Sequence, residues 1–217
     1  MSLQKLETSF TKLVKLAAEF KVDITPGDSS RCVAFASLLL EANESRNLTR
    51  LTKPEDLAIG MFLDSLLFNR VLTGAKSVID IGCGAGFPSV PLALTNPNPK
   101  ILAVDSRKMK VDFVQESAQK LGLNNLRAKH ARVENLTIES CDLVVARAVG
   151  SLPKTLTLAL PLLKKGGKVV VARSASDLSE TLAKCKQQLK KCNVETWIYR
   201  LPGYRKDFAQ VSVTKGE

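Results

Sequence analysis

The chain has 217 residues, of which 45% are hydrophobic and 24% are charged, and this balance excludes both an intrinsically disordered chain and a bundle of membrane-spanning helices. Its 32 basic and 21 acidic residues give a net charge of +11, and +9 of this lies after residue 145. Such a field favours a polyanionic partner, nucleic acid first and an anionic membrane second, with a plain solubility surface as the alternative.

The first third of the chain is predicted to be helical. A stripe of apolar residues at alternating spacings of three and four predicts an amphipathic helix that packs on another surface. A second helix is predicted at about Ser29–Ala42, and Asn43–Asn47 reads as a polar linker. A third helix is predicted to begin where Thr52 and Glu55 have the spacing of a capping box. The stripe of the first helix consists of Leu3, Leu6, Phe10, Leu13, Ala17 and Phe20.

From residue 74 onwards, short β-rich runs alternate with helical stretches, a rhythm typical of a parallel sheet with helices on both faces. Two later runs, Glu195–Arg200 and Phe208–Thr214, flank a Pro202-Gly203 turn and predict a closing antiparallel pair. We therefore expect a helical extension over 1–73 and an α/β domain over 74–217. The clearest strands are Ser77–Ile81, Ile101–Asp105, Asp142–Ala146 and Lys168–Ala172.

A glycine-rich loop follows the first of these strands. Gly82, Gly84 and Gly86 stand at every second position, which permits sharp turns and a close approach of a ligand to the backbone. Phe87 occupies the place where the dinucleotide fingerprint requires its third glycine, so a nicotinamide or flavin site is disfavoured. With Asp80, the pattern D-x-G-x-G-x-G resembles the first motif of class I S-adenosylmethionine-dependent methyltransferases, whose loop lies against the methionine and ribose parts of the cofactor.

Polar residues also end the next three strands. Asp105 lies 19 residues after the last glycine of the loop, and its carboxylate is suited to accept both ribose hydroxyls of an adenosine, or else to cap a helix. Val133 and Glu134 follow the third strand candidate, where adenine is expected, although Glu134 also suits a helix start. Arg147 ends the fourth strand and is predicted either to hold an anionic group or to form a surface ion pair.

A more specific resemblance covers the chain from about residue 47 to about residue 168. The order and spacing of five segments resemble the glucose-inhibited division protein B family, small-subunit ribosomal RNA guanine-N7 methyltransferases with a class I, Rossmann-like fold. The segments are Asn47-Leu48-Thr49, Leu63–Leu66, Asp80–Pro88, Asp105-Ser106 and Arg147–Leu152. The resemblance implies cofactor contacts at Gly82, Phe87, Val133, Glu134 and Arg147.

Three positions depart from the family pattern. Met61 stands where the family usually has a histidine, three residues before Asp64. Arg173-Ser174 replaces a usual Lys-Gly after the fifth strand, a position tied to substrate handling. Met109 stands where a basic residue is expected, four residues after Asp105. All three departures lie outside the glycine loop.

The resemblance implies that the substrate is 16S ribosomal RNA, either free or on an assembling small ribosomal subunit. N7 of guanine carries a lone pair and no proton, so positioning suffices and no catalytic base is assigned. Basic side chains are expected to assemble one surface that contacts phosphates, although each alone also reads as a solvated charge. These candidates are Arg46, Arg50, Lys53, Lys164, Lys165, Lys168, Arg173, Arg200, Arg205 and Lys206.

Two other function classes remain open from the sequence: a small-molecule methyltransferase of the same fold and a non-catalytic RNA-binding module. Five cysteines without a C-x-x-C pair and a single histidine give no disulfide framework, zinc ribbon or histidine-based triad, so no metal site is expected. Because the chain opens without an apolar leader stretch, we expect a cytoplasmic protein. We further expect a monomer that does not contact membranes.

Overall fold

The computed structural model describes residues 3–216 as a seven-stranded sheet flanked by helices. The α-helices are α1 (Leu3–Glu19), α2 (Pro26–Arg46), α3 (Pro54–Asp56), α4 (Asp64–Leu66), α5 (Asn69–Leu72), α6 (Ser89–Thr95), α7 (Lys108–Lys120), α8 (Leu152–Ala159), α9 (Leu178–Lys184) and α10 (Lys186–Leu189). A π-helix spans Leu57–Leu63, and short 3-10 helices span Val133–Asn135 and Leu160–Leu162. The strands are β1 (Ser77–Ile81), β2 (Lys100–Asp105), β3 (Leu126–His130), β4 (Cys141–Arg147), β5 (Leu163–Ser174), β6 (Cys192–Tyr199) and β7 (Phe208–Lys215).

The strands follow the order β3-β2-β1-β4-β5-β7-β6. Strands β1 to β5 are parallel, and β7 lies antiparallel between β5 and β6. The predicted fold class, a mostly parallel sheet with a closing antiparallel pair, is confirmed. Strand order reverses between β1 and β4, and open sheets of this kind bind ligands outside the carboxyl ends of the strands at such a point.

The N-terminal helices share an apolar core with one face of the sheet. Phe10, Leu13 and Ala17 of α1 are fully buried, and the ring of Phe10 meets that of Phe62 edge-on at 4.7 Å. The predicted stripe departs at both ends: Leu3 is 56% exposed, and Phe20 lies just beyond the end of α1, where it is partly buried against the same core. A second apolar core covers the opposite face of the sheet. Within the described residues, no helix has the length and apolar character needed to cross a membrane.

Helix α2 is longer than the sequence predicted. It runs to Arg46, so the predicted linker at Asn43–Asn47 is helical except for its last residue, Asn47, which adopts a left-handed conformation and ends the helix. Polar residues continue the helix here because α2 carries them on its exposed side. The Asn43 side chain accepts a hydrogen bond from the backbone N–H of Thr49 at 2.8 Å, which fixes the chain as it leaves the helix.

The capping box lies at α2 and not at α3. The Thr25 hydroxyl accepts from the backbone N–H of Asp28 at 3.1 Å, and the Asp28 carboxylate accepts from the backbone N–H of Thr25 at 2.9 Å. The predicted box at Thr52 and Glu55 is wrong, because α3 is capped by Lys53 without a side-chain hydrogen bond. Pro54 at the first position of α3 shifts the helix start by one residue from the predicted register.

Candidate active site

The glycine loop turns sharply at the carboxyl end of β1. The backbone N–H groups of Gly82 and Cys83 both donate to the Val104 carbonyl, at 2.8 and 3.0 Å, which ties the loop to β2. Gly82 has a φ of +72°, and a Cβ at this position would lie 2.6 Å from Val149 Cγ2. A Cβ at Gly84 would meet nothing nearer than 4.0 Å, so open space lies beside this part of the loop. Any larger residue at Gly82 would therefore clash, while a ligand has room beside Gly84.

Asp105 joins the glycine loop to the end of β2. Its carboxylate accepts from the Gly84 backbone N–H at 2.9 Å and from the Arg107 backbone N–H at 2.9 Å. The Arg107 guanidinium also approaches it, with Nε 3.2 Å from Oδ1, although the Arg107 side chain is 64% exposed. Helix α7 begins at Lys108 with Arg107 as its cap residue and no side-chain cap, so the helix-cap alternative for Asp105 fails.

A groove of about 380 Å³ opens at the carboxyl ends of β1, β2, β3 and β4. This volume suits a small organic ligand. The groove brings together four of the predicted cofactor residues: Gly82, Asp105, Val133 and Glu134. Its lining also includes Arg107 and Lys154, together with Val104, Ser106, Ala131, Arg132, Ala148, Val149 and Leu158. A larger hollow of about 670 Å³ between α1 and α3 contains none of the predicted cofactor residues.

Asp80 lies beneath the loop and does not line the groove. It is fully buried, and its carboxylate accepts from the Ser89 backbone N–H at 3.1 Å. Burial raises the pKa of this carboxyl from its ordinary 3.8 to about 7. The Asp80 side chain thus holds the start of α6 against β1, and cofactor contact by Asp80 stays a prediction.

Phe87 and Arg147 lie on the side of the loop that faces the N-terminal helices. Phe87 is 3% exposed, and its ring packs edge-on against Phe62 with centroids 5.1 Å apart. The Arg147 guanidinium lies 5.6 Å from the centre of the Phe87 ring. Neither residue lines the groove, and neither do Gly84 and Gly86. The predicted cofactor residues thus divide into a groove set and a set next to the N-terminal helices.

A buried polar network connects Arg147 to the N-terminal part. Arg147 donates to the Gly60 carbonyl at 2.9 Å and to Asp64 Oδ2 at 3.2 Å. Tyr199 donates its hydroxyl to Asp64 Oδ1 at 2.6 Å. Burial, followed by the charge of Asp64, raises the pKa of Tyr199 above its usual range, so the phenol remains a donor. The predicted ion pair of Arg147 exists, but it is mostly buried and not on the surface.

The π-helix at Leu57–Leu63 makes this network possible. Its wider turn presents the carbonyl of Gly60 to Arg147, and π-helical turns frequently occur at functional sites. Met61, where the family usually has histidine, lies in the same turn, and its sulfur accepts from Arg147 at 3.2 Å. The methionine thus lies beside the arginine, at the position where the family pattern usually has a histidine.

The predicted basic residues do not form one surface, and this prediction is wrong. Lys164 and Lys165 lie at the beginning of β5, at the amino ends of the parallel strands. Arg173 lies near the other end of β5, and Arg205 and Lys206 lie in the connection between β6 and β7 at that same carboxyl edge. Because β5 runs the full height of the sheet, residues that are close in sequence end on opposite edges.

Two contacts join the end of α2 and the segment after it to α7. Arg46 pairs with Glu116 of α7, with nitrogen and oxygen 2.9 Å apart. Lys110 of α7 is buried and donates to the Leu48 carbonyl, which fixes the segment that carries Arg50. Arg50 and Lys53 are exposed. In the described part of the chain, no group of three or more His, Cys, Asp or Glu side chains is placed to hold a metal ion.

Comparison with known proteins identifies the family. The profile of the family described as GidB, rRNA small subunit methyltransferase G, matches residues 28–201. The chain belongs to this family. Ribosomal RNA small subunit methyltransferase G of Acholeplasma laidlawii is 36% identical over 179 residues, which cover 80% of this chain and 77% of that protein. The protein of the same name from Deinococcus radiodurans is 40% identical over 164 residues, which cover 72% of this chain and 64% of that protein.

Solved structures of the same fold also match the chain. An O-methyltransferase from Bacillus cereus in complex with SAH has a TM-score of 0.62 and 14% identity, over 96% of this chain and 100% of that one. A SAM-dependent O-methyltransferase from Thermotoga maritima has a TM-score of 0.59 and 17% identity, over 82% of this chain and 71% of that one. At such low identity the likeness establishes the fold alone. The family resemblance and the fold class predicted from the sequence are both confirmed.

Proposed function

We propose that this protein transfers the methyl group of S-adenosylmethionine to N7 of a guanine in 16S ribosomal RNA of the small subunit. One observation carries the proposal: in a chain of the rRNA small subunit methyltransferase G family, Gly82, Asp105, Val133 and Glu134 line a single groove at the switch point of the sheet. Free or partly assembled small-subunit RNA is the substrate, and the cofactor class follows from the family and the groove.

The groove suits an adenosine. The Asp105 carboxylate is the group that would hold the ribose hydroxyls, with charge-assisted hydrogen bonds. The Arg107 guanidinium now lies against it and has to move aside, which its exposed side chain permits. Val133 and Glu134, on the 3-10 turn after β3, would lie against the adenine. The open space beside Gly84 would admit the methionine part.

The residues of this chain position the cofactor and the guanine, and none of them is assigned as a catalytic base. When bound, the cofactor offers an electrophilic methyl group on a sulfonium sulfur, and N7 of guanine accepts it through a lone pair without losing a proton. Arg147, held by Gly60 and Asp64, would fix the edge of the pocket next to Phe87. The methylated base becomes cationic, and the buried carboxylate of Asp64 already neutralises the Arg147 guanidinium on this side of the loop.

RNA would approach along the carboxyl edge of the sheet, where the cofactor groove opens. Arg205 and Lys206 lie in the β6–β7 connection at this edge, and Arg173 lies beside them, paired with Asp177 at 2.8 Å. Arg50 and Lys53 are further exposed candidates in the segment between α2 and α3. Together these side chains are suited to bind phosphates and to set the affinity and its salt dependence, with little sequence information.

We further propose a cytoplasmic monomer without membrane contact, since its substrate is ribosomal RNA. The large apolar side chains exposed among residues 3–216, namely Leu3, Met109 and Ile198, are scattered and form no patch that requires a partner. Residues 1–73 would act as a helical extension and 74–217 as the cofactor-binding domain, tied together by Arg147 and Asp64. Residues 1, 2 and 217 of that division lie outside the described chain.

Methylation mapping tests the proposal. The protein is incubated with radiolabelled S-adenosylmethionine and small-subunit RNA, naked or in 30S particles, and 7-methylguanine is located by chemical cleavage. We expect label at one guanine N7, and loss of that label in Asp105→Ala. Label on other atoms, or transfer only to small molecules, would contradict the proposal.

A further inference from the structure

The amino ends of the parallel strands carry a second group of basic side chains, far from the groove. We name this group the amino-edge surface and define it by Lys76, Lys100, Lys164, Lys165, Lys190 and Lys191. The proposed function uses none of its exposed lysines for the cofactor or for RNA at the carboxyl edge. Much of the positive charge in the last third of the chain therefore lies where the reaction does not take place.

Backbone contacts place these lysines in one row. The Lys100 backbone N–H donates to the Lys76 carbonyl at 2.9 Å, so these two residues lie side by side at the starts of β2 and β1. Lys164 and Lys165 begin β5. Lys190 and Lys191 directly precede β6, whose first residue pairs with Lys215 at the end of β7.

Asp142 fixes the centre of this row. Its carboxylate accepts from the backbone N–H groups of Lys76 and Ser77, both at 2.9 Å, and from the Lys164 ammonium at 2.9 Å. These hydrogen bonds, with that of Lys164 the largest cause, hold the pKa of Asp142 well below its usual range. The acid is thus fully engaged in joining β1, β4 and β5, and it neutralises only one lysine.

The remaining lysines keep their charges free for a partner. Lys76, Lys100, Lys165, Lys190 and Lys191 are exposed and form no ion pair with another residue of the range 3–216. From β2 to β6 the row crosses five strand spacings, or roughly 24 Å. That length faces several successive phosphates of a nucleic-acid backbone.

We propose that the amino-edge surface binds the phosphate backbone of a second element of the folded ribosomal RNA. The inference rests on the proposed function for the identity of the polyanion. The strands between the two edges are five to twelve residues long, so a substrate that touches both edges spans roughly 20 Å or more. A folded RNA or an assembled particle can reach both edges at once.

The chemistry of the edge favours RNA over an anionic membrane. Membrane-binding surfaces combine basic residues with apolar side chains that insert into the lipid. The exposed large apolar residues of the described chain lie elsewhere: Leu3 at the start of α1, Met109 beside the groove, and Ile198 near the carboxyl-edge end of β6. The amino-edge surface offers charged lysine side chains without exposed large apolar ones, which suits hydrated phosphate groups.

Neutralisation of three lysines tests the inference. Lys76→Gln, Lys100→Gln and Lys165→Gln are combined, and the matched control combines Lys5→Gln, Lys12→Gln and Lys15→Gln on α1, which removes the same charge. Binding of 16S ribosomal RNA and of 30S particles is measured between 50 and 300 mM KCl, roughly the range over which phosphate contacts are released by salt. Calorimetry follows S-adenosylmethionine binding in all three proteins.

We expect the amino-edge variant to bind RNA about tenfold more weakly, with a salt slope lower by roughly 2 to 3, since each lost phosphate contact removes about 0.7 to 0.9. The control should stay near wild type, and cofactor binding should be unchanged. Equal RNA binding by the two variants would overturn the inference. The inference would also be overturned if the amino-edge variant kept wild-type RNA binding and lost binding only to vesicles that contain phosphatidylglycerol. A wild type that binds no cofactor and methylates no RNA would instead refute the proposed function.

Discussion

Asp105 is the residue on which the proposed cofactor site depends most, because it touches the glycine loop and lines the groove. We expect Asp105→Ala to weaken S-adenosylmethionine binding by roughly 1.5–3 kcal/mol, the value of hydrogen bonds to a charged group. Calorimetry measures this, and a thermal melt verifies folding. Asp112→Asn, which changes an exposed carboxylate on α7, is the control. Wild-type affinity in Asp105→Ala would refute the role of the carboxylate.

The buried carboxyl group of Asp80 should make the free energy of unfolding depend on pH. Its pKa rises from 3.8 to about 7 on folding, because burial disfavours the charged form. The folded protein therefore binds this proton more tightly than the unfolded chain, and the stabilisation is complete below about pH 4 and is lost as the pH approaches 7. In Asp80→Asn the side chain cannot ionise. The free energy of unfolding of Asp80→Asn relative to wild type should rise between pH 5 and pH 8 in urea titrations, whereas a constant difference would contradict the pKa.

Sequence reasoning found the groove residues but missed their neighbours. Gly82, Asp105, Val133 and Glu134 follow strand ends, a position that can be read from the order of strands alone. Arg107 and Tyr199 could not be found this way. Tyr199 reaches Asp64 across 135 positions of sequence, and only tertiary packing brings them together.

Among the elements, α2 depends on its capping box. We expect Thr25→Ala to lower the free energy of unfolding by about 1 kcal/mol, because the Asp28 backbone N–H loses its acceptor. Thr52→Ala, at the box predicted from sequence, should leave the stability unchanged, since Thr52 caps no helix. Urea unfolding measures both variants. A greater loss in Thr52→Ala than in Thr25→Ala would reverse this assignment.

The junction between the π-helix and the sheet gives a second prediction at this scale. Tyr199→Phe removes the hydroxyl that donates to the buried Asp64 carboxylate, and we expect a loss of roughly 1.5–3 kcal/mol in the free energy of unfolding. Tyr204→Phe is the matched control, because the Tyr204 hydroxyl has no hydrogen-bond partner among residues 3–216. Similar losses in both variants would mean that the Asp64 network contributes no specific stability.

Most elements were predictable because their signals are local. Strand β1 has its predicted bounds, and β2, β4 and β7 differ from theirs by one residue at each changed end. Strand β5 begins five residues earlier than predicted. Its first part contains Lys164, Lys165 and two glycines, which do not read as a strand, and its pairing with β4 contains a register shift. The π-helix carries no sequence signal of its own, and its residues Phe62 and Gly60 contact Phe10 and Arg147, which are distant in the sequence.

For the whole molecule, the sheet separates charge that is continuous in sequence. The prediction of one RNA surface failed because the order of residues along β5 says nothing about which edge each one reaches until the strand direction is known. The fold instead gives a carboxyl edge with the groove and an amino edge with free lysines. The family, the methyltransferase class and the cofactor were readable from the succession of motifs, since their spacing follows from strand ends that meet at one groove.

Calorimetric titration of S-adenosylmethionine, and of its demethylated product, into the purified protein tests the assignment of the groove most directly, with NAD as the control ligand. We predict binding of the first two at micromolar concentration and none of NAD, because Phe87 replaces the third glycine of a dinucleotide loop. Binding of NAD, or of none of the three, would contradict the assignment.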